Sequence, residues 1–358
     1  MNFLTIIGRW INRYFSQPDA VYLVLMLVAV GVVILTLGEA LAPVLTGLVI
    51  AFLLQDLVRR LEAVRVPRLA AITVAMMVFL GAVMAMVLLV VPLVSSQVSS
   101  LVSLLPNLVV RLREGMLRLA EQFPEFVTQS QITAVVEQAT RELGNLSGTL
   151  LENAFSQVFS LFGLLVYLIL VPISVFFLLK DKDELMAFWR SILPQPRPLL
   201  SAVGTEMNVQ LGNYVRGKAI EIVIVGLASF TVFLLFDLNY AALLGVLVGI
   251  SVLIPFIGAA VVTFPVFAVA VLQFGWSWEL GWIMAAYGLI QFLDGNVLVP
   301  LLFSEAVDLH PITIIISVLA FGGMAGLWGV FFAIPLATLI KAIYVAWPRQ
   351  SEEAPPTG

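Results

Sequence analysis

The chain has 358 residues, 61% of them hydrophobic and only 11% charged, with a formal net charge of -4. Soluble domains run near half apolar and a quarter charged, so this composition excludes an ordinary soluble domain and points to a polytopic, all-α membrane protein. With no cysteine and one histidine, disulfides, thiolate metal centres, cysteine nucleophiles and a histidine-based zinc site are excluded as well.

In chain order, residues 1–19 read as an amphipathic lead-in: Trp10, Tyr14 and Phe15 suit a membrane interface, and Arg9 and Arg13 suit the cytoplasmic side. No small-residue cleavage site follows, so the first apolar run, 21–37, is read as a retained span. Glu39 and Pro43 predict a tight outer turn into a second, short run over 41–54. Arg59, Arg60, Arg65 and Arg68 then face a single Glu62, which marks a cytoplasmic loop under the positive-inside rule. A third span covers 69–91 and is expected to stop near Pro92.

Composition shifts from 93 to about 155. Leu108, Leu112 and Leu119 recur at helical spacing among Ser, Gln, Glu and Arg, and the segment carries more Glu than Arg. It reads either as an external helical subdomain or as a helix pair lying on the lipid. A fourth span, 158–179, ends in LLKDKDEL (178–185), where Lys180 and Lys182 again mark the cytoplasm. The stretch 187–218, with PQPRP at 194–198 and an amphipathic helix over 199–215, reads as cytoplasmic; the fifth span follows at 219–236.

The last third shows one pattern twice. Span 219–236 is followed by short runs at 240–253 and 257–272, joined at Pro255-Phe256-Ile257-Gly258. Span 280–298 is followed by runs at 312–321 and 327–345, joined at Gly322, Gly323, Gly326 and Gly329. A helical span needs about 20 residues, so each pair reads as a re-entrant hairpin, giving about six full spans plus two broken hairpins; if the hairpins cross fully, the count is eight to ten. Five spans from a cytoplasmic N-terminus leave Asp237 outside, so the two units are inverted relative to each other and both termini are cytoplasmic. Interrupted apolar pairs in corresponding positions of inverted halves point to a transporter site. The segments are 1–92, 93–155, 156–218, a transport unit at 219–347 and a disordered tail at 348–358.

Few residues here can carry chemistry. Asp294, flanked by Gln291 and Asn296, is costly within a span unless it faces a cavity or a partner. It is a candidate solute or proton contact; the competing reading is a helix break at Asp294-Gly295. His310, the one side chain titrating near neutrality, is a candidate ion- or proton-linked group, or simply caps the helix that follows Pro311. Glu221 reads as locally paired with Lys218 or Arg216. Pro255, Gly258, Pro265, Gly322 and Gly323 would expose backbone groups at hairpin tips, where a polar solute can bind; the alternative is close packing of the small-xxx-small kind, as from Gly322 to Gly326. Ser251, Thr263, Thr313 and Ser317 could add hydroxyls or bond their own helices. There is no G-x-S-x-G, H-E-x-x-H or Walker A sequence. An enzyme, a resident cofactor, a bound metal or a nucleic-acid partner is therefore not expected, and transport would be secondary or facilitated.

LIPFIG (253–258), QFLDGNVLVP (291–300), LHP (309–311), FGGMAGLWG (321–329) and AIPLA (333–337), in that order and spacing, resemble the autoinducer-2 exporter family, in its permease-like branch. LLKDKDEL and the amphipathic insertion fit too, and the resemblance covers essentially the whole chain. It implies a bacterial inner-membrane protein, a homo-oligomer (a homopentamer) and an elevator-type motion. It also implies export of a small polar solute such as autoinducer-2, with sodium–proton antiport in another branch. A non-transporting membrane scaffold or partner subunit is the reading of another class.

Overall fold

The computed structural model describes residues 18–101, 133–134, 136–138, 141, 161–193, 195, 198–303 and 309–347. The predicted lead-in, most of the insertion, the tail, Glu305 and Asp308 lie outside these residues. Among them every element is helical, and six helices are long and apolar enough to cross a membrane. Large apolar side chains stand exposed along them, Leu25, Leu35, Leu89 and Phe264 among many others, which suits lipid and not water.

The first helix, α1 (Pro18–Ala63), is helical over 46 residues with Pro43 inside it. The predicted outer turn at Glu39 and Pro43 is therefore corrected: hydrogen bonding runs on through it. α1 is nonetheless not straight. The Asp19 carboxylate accepts from the Leu199 amide and Asp56 pairs with Arg216. Those partners are about 26 Å apart on one helix, whereas a straight α1 would hold its own two ends of the ladder about 55 Å apart. Pro43, which has no amide to give the preceding turn, lies inside the bent stretch. α2 (Arg68–Leu101) likewise runs through Pro92, by way of a π-turn at Met86–Val90. α3 (Leu161–Lys180) packs beside the second half of α1, where Gly47 sits against Ser174 and Val175. A short interfacial helix, α4 (Lys182–Ile192), follows.

The organising element is α5 (Pro198–Leu235), 38 residues in one helix. The predicted amphipathic helix over 199–215 and the fifth span are thus a single rod. Proline is absent from its interior, so nothing in the backbone forces a stop at 218. α6 (Ala241–Ser251) folds back along the second half of α5, with Gly245 on Gly226 and Phe230, and Gly249 on Ile222 and Gly226. These contacts bring two backbones close without side chains between them. A Cβ on Gly249 would lie 2.8 Å from the Ile222 carbonyl oxygen. Gly249→Ala is therefore expected to cost about 1–3 kcal/mol, read as a lowered thermal midpoint in detergent. Gly281→Ala, which meets open space, should change it by less than about 0.5 kcal/mol.

α6 has 11 residues and so spans about 16 Å, half of a ~30 Å hydrocarbon layer. Its tip turns through Phe256 at φ 63° into α7 (Ile257–Phe274). α8 (Trp278–Phe303) follows, capped by the Ser277 hydroxyl and with Trp276 and Trp278 exposed at the turn. The second pair is α9 (Pro311–Phe331), kinked out of helical geometry at Ala325 and Gly326, and α10 (Ala333–Ala346). α10 runs back along the first half of α5: Ile334 packs with Tyr214 and Val215, and Trp347 with Leu199, Leu200 and Val203. The two pairs thus approach α5 from opposite ends and stop near its middle.

The tips are built alike. In the first, Gly258 lies so close to the incoming helix that a Cβ would fall 1.8 Å from the Ser251 carbonyl oxygen. In the second, a Cβ on Gly329 would fall 1.8 Å from the Phe321 carbonyl oxygen. A positive-φ residue precedes each glycine, Phe256 in one tip and Gly326 at φ 55° in the other.

Candidate functional site

The middle of α5 carries a buried polar cluster. Lys218 and Glu221 lie one turn apart with side chains 5% and 2% exposed, and their Nζ and Oε2 atoms are 2.8 Å apart. The ammonium also donates to the Val252 carbonyl at 2.7 Å, just before the first tip, and sits 5.4 Å from the centre of the Phe303 ring. One turn back, the Tyr214 hydroxyl donates to the Phe331 carbonyl at 2.8 Å, five residues beyond Gly326 of the second tip. Tyr214 also packs edge-on against Phe331 and beside Phe303. One face of α5 is thus bonded to both broken pairs. Loss of that hydroxyl in Tyr214→Phe is expected to cost about 1 kcal/mol in a detergent melt, since the Phe331 carbonyl is left without its donor.

Asp294 comes to this cluster from α8. It is close enough to interact electrostatically with both Lys218 and Glu221. Its Oδ1 atom is buried with no hydrogen-bond partner among the described residues, and so is Nε2 of Gln291, one turn earlier. Buried polar atoms are normally paired, and two unpaired ones on the same helix face mark a place a polar ligand would complete. The predicted break at Asp294-Gly295 is corrected. α8 does not end there but widens into a π-turn over Asp294–Leu298, a feature frequent at functional sites.

The other predicted residues divide. Asn296 is exposed and its amide donates to the Phe292 carbonyl on its own helix, so it does not join the cluster. Pro255 and Gly258 form the first tip, four and seven residues after Ser251, which bonds back to Val248. Gly322 faces a side chain, that of Val330, while Gly323 meets open space. Gly329, not Gly322 or Gly323, is the close-approach glycine of the second tip. The predicted packing from Gly322 to Gly326 is not seen: Gly326 also meets open space, and the small-residue seam is at Gly226, Gly245 and Gly249. His310 is exposed and its Nδ1 accepts from the Ile312 amide at 3.3 Å, so it caps α9 away from the cluster. Thr263 bonds the Ala259 carbonyl of its own helix.

Tyr214 escaped the sequence reading, and Lys218 and Glu221 were read only as a local pair. That pair is real, but it lies at the centre of a long helix and not at a span end. The signal was the unbroken helical stretch across 199–235, which carries Lys218 and Glu221 inward from the interface. No group of three or more metal-ligating side chains occurs among the described residues.

The description "AI-2E family transporter" matches residues 10–349. The chain is 44% identical to "Putative permease PerM" of Escherichia coli (strain K12) over 345 residues, 96% of this chain and 98% of the relative. It is 26% identical to "AI-2 transport protein TqsA" of the same organism over 304 residues, 85% of each chain. It is 25% identical to "Putative transport protein YueF" of Bacillus subtilis (strain 168) over 310 residues, 85% of this chain and 83% of the relative. A helical bundle of membrane-spanning length, with two broken pairs meeting at a buried charged cluster, thus coincides with a match across nearly the whole chain, and the chain belongs to the AI-2E transporter family.

Proposed function

We propose that the protein is a secondary transporter of the bacterial inner membrane that exports a small polar solute, with Lys218, Glu221 and Asp294 at its binding site. The observation that carries this reading is the buried ion pair held between the two tips, with the unpaired Asp294 Oδ1 and Gln291 Nε2 atoms beside it. A polar solute with several hydroxyl or carbonyl groups would satisfy those atoms and the tip carbonyls together. The likeness to the AI-2 transport protein TqsA makes autoinducer-2 the first solute to try. In this reading the two hairpins are re-entrant, both termini are cytoplasmic and the two hairpins move with their adjoining helices as an elevator. A homopentamer of such chains would supply the fixed frame.

Cation–proton antiport is the second reading, and the charge count favours it: two carboxylates, Glu221 and Asp294, share one ammonium, Lys218. That excess of negative charge suits a coupling cation or proton. Proteoliposomes separate the two. Autoinducer-2 flux above empty liposomes, lost in Asp294→Asn, is the expected result. Collapse of a pH gradient on adding Na⁺, also lost in Asp294→Asn, would replace export by antiport. Neither flux, with a second protein copurifying in fixed ratio, would leave the chain a scaffold subunit.

A further inference from the structure

A second polar feature lies apart from the cluster, at the end of the bundle that carries the arginine loop. A cavity of about 550 Å³ opens between α1, α3, α4 and α5. Its polar wall holds Arg59, Lys182 and Arg216 against one carboxylate, Asp56. That carboxylate is already shared, bonded to Arg216 and 3.9 Å from Arg59. Asp183, the acid beside Lys182, is taken by Arg68 outside the cavity. The wall therefore carries a surplus of positive charge. Burial, and then the neighbouring Arg59, hold the Lys182 ammonium below the usual lysine value.

Gln55, Asn208 and Asn213 also line the cavity, and the remainder is an apolar floor that includes Phe52 and Leu178. At its edge lies α4, with Phe188, Trp189 and Ile192 exposed on a short amphipathic helix. Exposed aromatic and aliphatic side chains on such a helix sit at the headgroup level of a bilayer. A free polar anion has no use for an apolar floor, and a neutral lipid has none for three cations. A phosphate joined to acyl chains matches both.

We propose that this cavity is a binding site for an anionic phospholipid, its phosphate held by Arg59, Lys182 and Arg216 and its chains lying along the apolar floor. Basic pockets between spanning helices on the cytoplasmic side take such headgroups by charge. The lipid bridges α1 and α4 to α5, so it would tie the first three helices to the rod on which both broken pairs rest.

The test is a thermal melt of the full chain in detergent, titrated with phosphatidylglycerol, phosphatidylcholine or soluble glycerol phosphate. Native mass spectrometry counts the retained lipid. Phosphatidylglycerol is expected to raise the melting midpoint saturably, with retained lipid seen in the spectra, and the other two to have no effect. In R59Q/K182Q the half-saturating concentration should rise about ten-fold or more. R60Q, which removes one positive charge outside the cavity, should stay within about two-fold of the parent. If the double variant loses its monodisperse profile, K182Q alone carries the test at about five-fold. Equal shifts with phosphatidylcholine, or a half-saturating concentration in R59Q/K182Q unchanged from the parent, would overturn the site. A saturable shift with glycerol phosphate matching that of the lipid would overturn the lipid assignment in favour of a free anion.

Discussion

Lys218→Met is expected to destabilise the protein by about 3–5 kcal/mol, because it leaves the Glu221 carboxylate charged, buried and without its partner. Lys218 also holds the first tip through the Val252 carbonyl, so the same change should release that tip and abolish transport. The informative experiment adds Glu221→Leu. Replacing a whole buried pair by apolar side chains of similar volume is often neutral for stability, so the double variant should recover most of the melting midpoint. Flux should not return with it. Thermal melts and proteoliposome flux on the same preparations decide the matter: a double variant that is both stable and active would reduce the pair to a structural strut.

Gly258→Ala and Gly329→Ala should each cost about 3 kcal/mol or more, at or beyond the upper end for overpacking. The reason is unusually direct. Each new methyl would land 1.8 Å from a backbone carbonyl oxygen, and a backbone cannot rotate aside as a flexible side chain can. The broken pair must open instead. Gly323→Ala, two residues after Phe321 and six before Gly329 yet facing open space, should leave the midpoint within about 0.5 kcal/mol. Equal yields and midpoints for all three variants would show that the tips are looser than their geometry implies.

The sequence made some of this readable and hid the rest for physical reasons. The tips were legible because they depend on local chemistry: Pro255 and Gly258 in one, the glycines from Gly322 to Gly329 in the other, each interrupting an apolar stretch. Which glycine makes the close approach was not legible, because that is set by where the partner carbonyl falls. The helix ends were misplaced for a related reason. Glu39 with Pro43, Pro92, and the polar stretch before 219 all look like boundaries, yet a helix can carry a proline or a polar face when neighbouring helices support it. The error at 219 mattered most. It placed Lys218 and Glu221 at an interface, where an ion pair is unremarkable in its setting, and so kept them off the candidate site. Asp294 was found because an acid in an apolar run is costly wherever it lies. Its π-turn was not found, since nothing in DGNVL distinguishes a widened turn from a broken one.

The bonds from Tyr214 to Phe331 and from Lys218 to Val252 leave neighbouring turns of one rod. A shift of that rod by one helical turn would carry both anchor points about 5.4 Å in the same direction. Because the two pairs enter from opposite ends, the same shift would push one tip toward its own end of the bundle and the other away from its end. In the proposed transporter, what deepened the path on one face would shorten it on the other, so a single moving part would serve as both doors and the two would not stand open together.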